Sequence, residues 1–577
     1  MTASCADLTA AGVVTAQTVR LARHLAWLFG EQREVVVMAA ACTIAALAAG
    51  SVCFEVGRAD RLGGDAAASI AWPDATDWAG ALRDSPMVSL DPAARDRPLI
   101  MDGAFVYLTR YWAEQEAIAD WLADRCRLPA TPVDAAGLDR FLGAGPDEQR
   151  AAAALAAGAP FSVVAGGPGT GKTTIVGRIL AVLAHGRTTP LRVILTAPTG
   201  RAAARLDQAV REELARLRAT GLKCRSGTLH RVLGIKPWGA VDHDAADPLA
   251  ADVVVVDEAS MLSLHLMARL LDAVAPSSRL ILAGDPDQLA SVDAGAVLAD
   301  IVANAGTVPV ARLTSTHRFS GAIAELADAI RRGAAEEALA ILDRGGDMIE
   351  WVDSDPSPAA TLPEALAGLA ADVTSQGLAL VAAGQDGDPA AAIAALNSHR
   401  LLLAHRHGPT GVSHWTSVAR QWISHAAGGA GPALWQVGLP VLVTRNDEML
   451  GIYNGDSGVV IRVGGDLRLA LDDPAGARLI APDMVESWEP LYASTIHKAQ
   501  GSQFDAVSLI LPPPGTALLT RELFYTAVTR AKSRLRVVGG PEAVRTAIES
   551  PALRASGLAS RVATRRGQWE DQGRTSP

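Results

Sequence analysis

The stretch Gly166-Gly167-Pro168-Gly169-Thr170-Gly171-Lys172-Thr173-Thr174 leaves this chain few choices of fold. Gly166, Gly171, Lys172 and Thr173 stand at the spacing of a phosphate-binding loop. The apolar run Phe161–Ala165 predicts a strand before it and Ile175–Leu183 a helix after it, the context such a loop requires. Glycines there let backbone N–H groups turn inward and cradle phosphate oxygens at a helix N-terminus. Lys172 would reach the β- and γ-phosphates, and the Thr173 hydroxyl would ligate Mg²⁺. The sequence therefore predicts an α/β protein that binds a nucleoside triphosphate. What the triphosphate drives must come from the rest of the chain.

The chain has 577 residues, enough for several domains. Its net charge of −10 does not announce a nucleic-acid partner. The charge is unevenly spread: residues 496–577 hold 12 Lys and Arg against 6 Asp and Glu, whereas residues 1–130 hold 11 against 16. A basic C-terminal face could track phosphates; a merely solvated face fits the count equally well. The five cysteines are scattered without a paired spacing, so neither a zinc site nor a disulfide framework is expected, and a reducing cytoplasm fits. Val35–Phe54 runs uncharged, but Ala, Gly, Ser, Thr and Cys dominate it and Glu34 and Glu55 bracket it. It reads as a buried helix leading into a short strand, not a membrane span.

Residues 1–130 carry apolar residues at helical spacing and predict a helical docking module, with Arg58–Arg97 as loop. From 131 a new unit begins. Gln149, at a helix start just ahead of the phosphate loop, has an amide able to bond both the ring nitrogen and the amino group of adenine; a surface Gln is the alternative. Three further units end strands with polar turns: Thr196-Ala197-Pro198-Thr199 and Gly227-Thr228-Leu229-His230 as possible holds for a phosphate backbone, then Val253–Val256 running into Asp257-Glu258. Acids at the carboxyl end of a buried parallel strand lie where open α/β sheets bind ligands. Asp257 would hold Mg²⁺, and Glu258 would orient and deprotonate the attacking water. Gln288, after the strand Arg279–Ala283, is placed to sense the γ-phosphate. Arg318 is a candidate cation from a second lobe. Residues 346–380 and 384–392 read as connecting or surface structure. From 410 to 490 the texture turns β-rich with Gly and Asp turns, which predicts a small inserted β-barrel. The α/β pattern then returns. Arg530 reads as lying on an amphipathic helix, either as an ordinary salt-bridged Arg or as an arginine finger for the transferring phosphoryl group. The tail from 555 looks frayed.

The strings AGGPGTGKTT, TAPTGRAA, GTLHR, VVVVDEASM, AGDPDQL, THRF, LGIYNGDSG, STIHKAQGSQF and LFYTAVTRAK, in this order over residues 145–540, resemble the 5′→3′ branch of superfamily 1 helicases, most closely the RecD family, α subunits of exodeoxyribonuclease V (RecBCD). The resemblance implies two RecA-like P-loop lobes with ATP between them, an SH3-like barrel inserted in the second lobe, and an N-terminal helical domain. The expected division is a docking domain over 1–130, the first lobe over 131–315, the second over 316–409 and 491–577, and the barrel over 410–490. It implies ATP and Mg²⁺ as cofactors and travel along single-stranded DNA from duplex ends. Carried onto matching positions, it assigns Gln149 to adenine, Lys172 and Thr173 to phosphates and Mg²⁺, Asp257 and Glu258 to metal and water, and Gln288, Arg318 and Arg530 to the γ-phosphate. Thr199, Thr228, His230, Thr495 and His497 would lie on or near the DNA path. Gln503 stands where the family usually has Glu, which suggests tuning. Stand-alone RecD-like helicases carry a longer N-terminal extension than the 130 residues here, which favours a heterotrimer subunit docked on RecC and partnered by RecB. A stand-alone helicase, and a structural subunit without turnover, are the other readings. No carboxylate–lysine cluster outside the ATP site suggests that this chain cuts DNA, so nuclease activity would belong to RecB.

Overall fold

The architecture is that of a computed structural model, which describes residues 3–63, 67, 70–143, 147–236, 239–315, 321–354, 364–428, 434–447, 449–473 and 476–565. At the N-terminus the helix Glu34–Ala48 is apolar on every side, and it is covered all round as such a helix must be. The amphipathic helix Ala16–Leu28 packs against it. The short strand expected after Glu34–Ala48 is present, and it joins further strands that the helical reading of the region did not include. The region carries a small sheet of β1 (Phe54–Glu55), β2 (Val88–Ser89), β3 (Leu99–Asp102) and β4 (Phe105–Leu108), in the order β1-β4-β3-β2. Asp102 pairs with Phe105, so Gly103 and Ala104 form the hairpin turn, and Gly103 supplies the positive φ (+59°) that such a tight turn needs. The stretch read as loop also holds the helix Ala75–Arg83, capped by the Asp74 carboxylate. Its Ala and Asp content hid the amphipathic face that buries Trp78 and Leu82.

The first lobe is built on β5 (Phe161–Gly166), β6 (Leu191–Ala197), β7 (Leu222–Thr228), β8 (Val253–Val256), β9 (Arg279–Gly284) and β10 (Val310–Leu313), six parallel strands in the order β10-β5-β9-β8-β6-β7. All four valines of β8 are buried because helices cover both sheet faces. The second lobe opens with β11 (Ile349–Val352) and β12 (His399–Leu403). Helices Ala367–Asp386 and Pro389–Ser398 link them, where surface structure was expected. Ala-rich helices carry little amphipathic contrast, which is why the pattern did not reveal them. Among the described residues, Glu364–Asp386 is the one helix long and apolar enough to cross a membrane; its Ala367–Asp386 portion packs on two neighbouring helices and on a barrel strand.

The barrel follows as β13 (Pro440–Val443), β14 (Ser457–Val463), β15 (Asp466–Leu471), β16 (Arg478–Ile480) and β17 (Trp488–Pro490), antiparallel throughout. The second sheet is completed by β18 (Ala493–Thr495), β19 (Phe504–Ile510) and β20 (Ala531–Val538), in the order β11-β20-β19-β12-β18, all parallel. Buried Arg400 on β12 donates to the Leu396 and Leu491 carbonyls and lies 4.7 Å over the Phe504 ring, so its charge is solvated by dipoles and a π face.

The C-terminal tail is not frayed through residue 565. It crosses from the second lobe back to the N-terminal region, where Val52 N donates to Ala555 O at 2.7 Å and Leu558 and Val562 are buried. Arg561 pairs with Asp102 and Glu116 and sits 4.1 Å over the Trp112 ring. Its partners lie more than 400 residues away in sequence, so no local pattern announces this dock.

Candidate active site

The phosphate loop joins β5 to the helix Lys172–Ala184. Gly169 and Gly171 have φ of +79° and +84°, left-handed values that a side chain would oppose. Gly166 is required for another reason: a Cβ there would stand 2.7 Å from Thr170 Oγ1 and 2.9 Å from Leu313 O. Lys172 Nζ donates to the Gly166 and Gly167 carbonyls at 2.6 and 2.9 Å, so the cation is folded back over the loop.

A cavity of about 180 Å³ opens at this loop, lined by Pro168, Gly169, Gly171–Thr174, Asp257, Glu258 and Gln288 of the first lobe and by Gly501, Gln503 and Arg530 of the second. Burial, then the charge of neighbouring Glu258, pushes the Asp257 carboxyl up to about 6. Glu258 has a left-handed backbone (φ +51°), one of two non-glycine residues so placed among those described. Strain of this kind at the end of a buried strand points to a side chain held for use. The Glu258 carboxylate faces across the cleft, with Oε1 3.7 Å from where a Cβ of Gly501 would stand. Gln288 is 5% exposed; its Nε2 donates to Asp285 Oδ2 at 2.9 Å, while its Oε1 is buried without a partner. An orphaned acceptor on a cavity wall costs about 1–3 kcal/mol until a ligand or water supplies a donor.

Arg530 lies not on the helix Arg521–Val528 but just after it, at the turn into β20. It is 3% exposed, and its guanidinium donates to the Thr526 and Ser502 carbonyls at 3.0 and 3.2 Å. No carboxylate among the described residues lies within ion-pair distance: this buried cation faces the cavity bonded to carbonyl dipoles, with the charges of Glu258 and Asp285 acting on it from farther off. Burial pushes its pKa down. A ligand anion would complete it.

Three contacts tie the second lobe to the loop carrying Gln288. Leu289 N donates to Thr526 Oγ1 at 2.9 Å, Gln500 Nε2 donates to Leu289 O at 2.9 Å, and Tyr525 Oη donates to Asp285 Oδ2 at 3.2 Å. Arg205, which also lines the cavity, donates to the Gly501 carbonyl. Sequence reasoning missed Arg205, Asp285, Gln500, Tyr525 and Thr526 as site residues. The first falls one helical turn beyond Arg201, a weak signal; the others act across the cleft, where sequence has none.

Gln149 is engaged elsewhere: its Oε1 accepts from Arg178 Nη1 at 2.7 Å, and it lines neither this cavity nor the one of about 200 Å³ on the far side of Gly166 and Gly167. Arg318 lies outside the described residues. Thr199 and Thr228 stand at the carboxyl ends of adjacent strands β6 and β7, where Ala197 pairs with Thr228. Each caps the following helix, accepting from Ala202 N and Arg231 N respectively. His230 follows Thr228, exposed. In the second lobe Thr495 ends β18 and its hydroxyl accepts from Lys498 N, with half-buried His497 beside it.

Two parallel sheets, a phosphate loop on one and a buried arginine from the other define a class: a two-lobed P-loop ATPase of the helicase kind. Comparison with known proteins agrees. Residues 10–107 match the family model of the N-terminal domain of RecBCD enzyme subunit RecD, residues 145–354 an AAA domain, and residues 490–538 a UvrD-like helicase C-terminal domain. The chain is 45% identical to the RecBCD enzyme subunit RecD of Mycolicibacterium smegmatis over 94% of its own length and 96% of that protein. It is 44% identical to the same subunit of Mycobacterium tuberculosis, over 96% and 95%. To the ATP-dependent RecD2 DNA helicase of Deinococcus radiodurans it is 31% identical, over 80% of this chain but 58% of that one. The chain belongs to the RecD family, and with it to the ATP-dependent DNA helicases.

Proposed function

We propose that this chain is the 5′→3′ motor subunit of a RecB–RecC–RecD assembly that unwinds DNA ends in the bacterial cytoplasm for recombinational repair, with RecB supplying the nuclease. The observation that carries the motor reading is Arg530 of one lobe, buried and without an ion-pair partner among the described residues, lining the same cavity as the phosphate loop of the other. Lys172 and the loop amides hold the triphosphate. Thr173 and Asp257 suit Mg²⁺: a hydroxyl and a desolvated carboxylate with an acidic neighbour line one cavity and would gain from a cation. Bound there with phosphate oxygens, the ion would neutralise charge on the triphosphate. Glu258 orients the attacking water and takes its proton. The free Oε1 of Gln288 accepts from that water, while Arg530 stabilises charge on the transferring phosphoryl group. Hydrolysis removes the anion that satisfies Arg530, so the lobes loosen, and the ties at Leu289 carry that change to the second lobe. Thr199, Thr228 and His230 on one lobe and Thr495 and His497 on the other then grip a single strand in turn.

The near end-to-end match with RecD subunits, against partial coverage of the RecD2 helicase, supports the heterotrimer over a stand-alone enzyme. Co-expression with RecB and RecC tests it. The expected result is one stable complex whose DNA-stimulated ATPase falls when Lys172 is replaced by Gln in this chain. A chain that purifies alone, fully active and unable to join RecB and RecC, supports the stand-alone reading.

The raised pKa of Asp257 sets a pH dependence. A free carboxyl titrates near about 4. Between roughly pH 4 and 6 the folded protein therefore holds a proton that the unfolded chain has lost, so its contribution to stability is full below about pH 4 and is lost as pH rises across that window. Mg²⁺–ATP must displace that proton, so its affinity should weaken about tenfold between pH 7 and pH 5. Calorimetric titration with Mg²⁺ and a non-hydrolysable ATP analogue measures it. Asp257→Asn should lose both the affinity and the pH dependence.

A further inference from the structure

The barrel reaches across to the first lobe at the end where β6 and β7 stop. The connection between β13 and β14 carries Tyr453, and its ring rests on Gly200: a Cβ at Gly200 would meet Tyr453 Cβ and Cγ at 3.0 Å. Arg231 Nη1 donates to Tyr453 Oη at 3.3 Å. Arg231 is exposed and has no carboxylate partner among the described residues. Beside it, Arg201 reaches into the barrel, donating to Ser457 Oγ at 3.1 Å and pairing with Asp472. The ring is presented, not dangling. Tyr453 N donates to Asp456 Oδ2 at 2.8 Å, Asp456 N donates back to Tyr453 O at 3.0 Å, and Asn454 N donates to Asn446 Oδ1 at 2.8 Å. Gly455, at φ +97°, closes the turn.

A half-buried aromatic ring on a braced loop thus lies against Gly200 and Arg231, the residues next to Thr199 and near Thr228. We propose that Tyr453 is a single-strand contact: when a strand crosses the ends of β6 and β7, Arg231 turns to a phosphate and the released ring stacks on a base. Every base has a π face, so such a contact holds the strand without reading its sequence. The barrel then closes the channel from above, and its grip follows the second lobe to which it is joined. This inference rests on the DNA path proposed above and adds a residue to it.

The test uses the full chain. Oligodeoxythymidine affinity is measured by fluorescence anisotropy for the wild type, Y453A and Y453F, with melting temperature as the check on folding. A strand containing 5-iododeoxyuridine is photo-crosslinked to the wild type and the adduct mapped by mass spectrometry. Loss of one stacked base predicts about tenfold weaker binding for Y453A. Y453F, which keeps the ring and loses only the hydroxyl, should bind within about twofold of the wild type. The adduct should fall on Tyr453. Unchanged affinity in Y453A, or an adduct mapped elsewhere with none on Tyr453, overturns the proposal. Failure of the wild type to bind oligodeoxythymidine at all strikes the DNA-path reading instead, and the two failures are distinct.

Discussion

Glu258→Gln binds ATP as the wild type does and turns it over about a hundredfold to ten-thousandfold more slowly. The amide keeps the shape and the hydrogen-bonding reach of the carboxylate but cannot accept a proton from the attacking water. The rest of the phosphate site is untouched, because Lys172 and the loop amides are separate groups in the lining of the cavity. Steady-state ATPase together with equilibrium binding of a fluorescent ATP analogue separates the two effects. Equal losses of binding and turnover would show that Glu258 helps hold the nucleotide and is not the base.

Arg530→Ala is the second large effect, a fall in turnover of about a thousandfold or more. The guanidinium is fixed by the Thr526 and Ser502 carbonyls. No carboxylate among the described residues is ion-paired with it, and buried Asp285, whose charge acts on it, keeps its bonds from Gln288 and Tyr525, so the fold should survive. Arg530→Lys should not restore the rate: an ammonium on a flexible stem makes neither the fork to two carbonyls nor a planar contact with phosphoryl oxygens. Single-turnover hydrolysis, with thermal unfolding alongside, checks both. A variant that folds and hydrolyses ATP within about tenfold of the wild type would return Arg530 to an ordinary structural role.

The sequence was informative where chemistry is local. A strand, a glycine-rich turn and a helix start are consecutive residues, so Lys172 and Thr173 are legible from spacing alone. Asp257, Glu258 and Gln288 are legible for the same reason, since the acid pair follows one buried strand and the Gln another. The two-sheet architecture could be read from apolar runs, but the small N-terminal sheet could not, because strands of two to four residues are shorter than any periodicity can mark. The ties at Leu289 join residues more than 200 apart, as do the contacts of Tyr453 with Arg231 and Gly200. They exist only once two lobes and a barrel meet. Gln149 shows the converse: a residue type suited to adenine is held in this conformation by Arg178, an alternative partner that sequence gives no means to weigh.

The most direct test of the motor reading is ATP-dependent unwinding of duplexes bearing a single-stranded tail at either the 5′ or the 3′ end, with Lys172→Gln as the control. Unwinding from the 5′ tail alone, lost in the control, is the expected result. Unwinding only from the 3′ tail would contradict the direction. Neither unwinding nor DNA-stimulated ATPase, even with RecB and RecC present, would contradict the motor itself and leave a structural subunit.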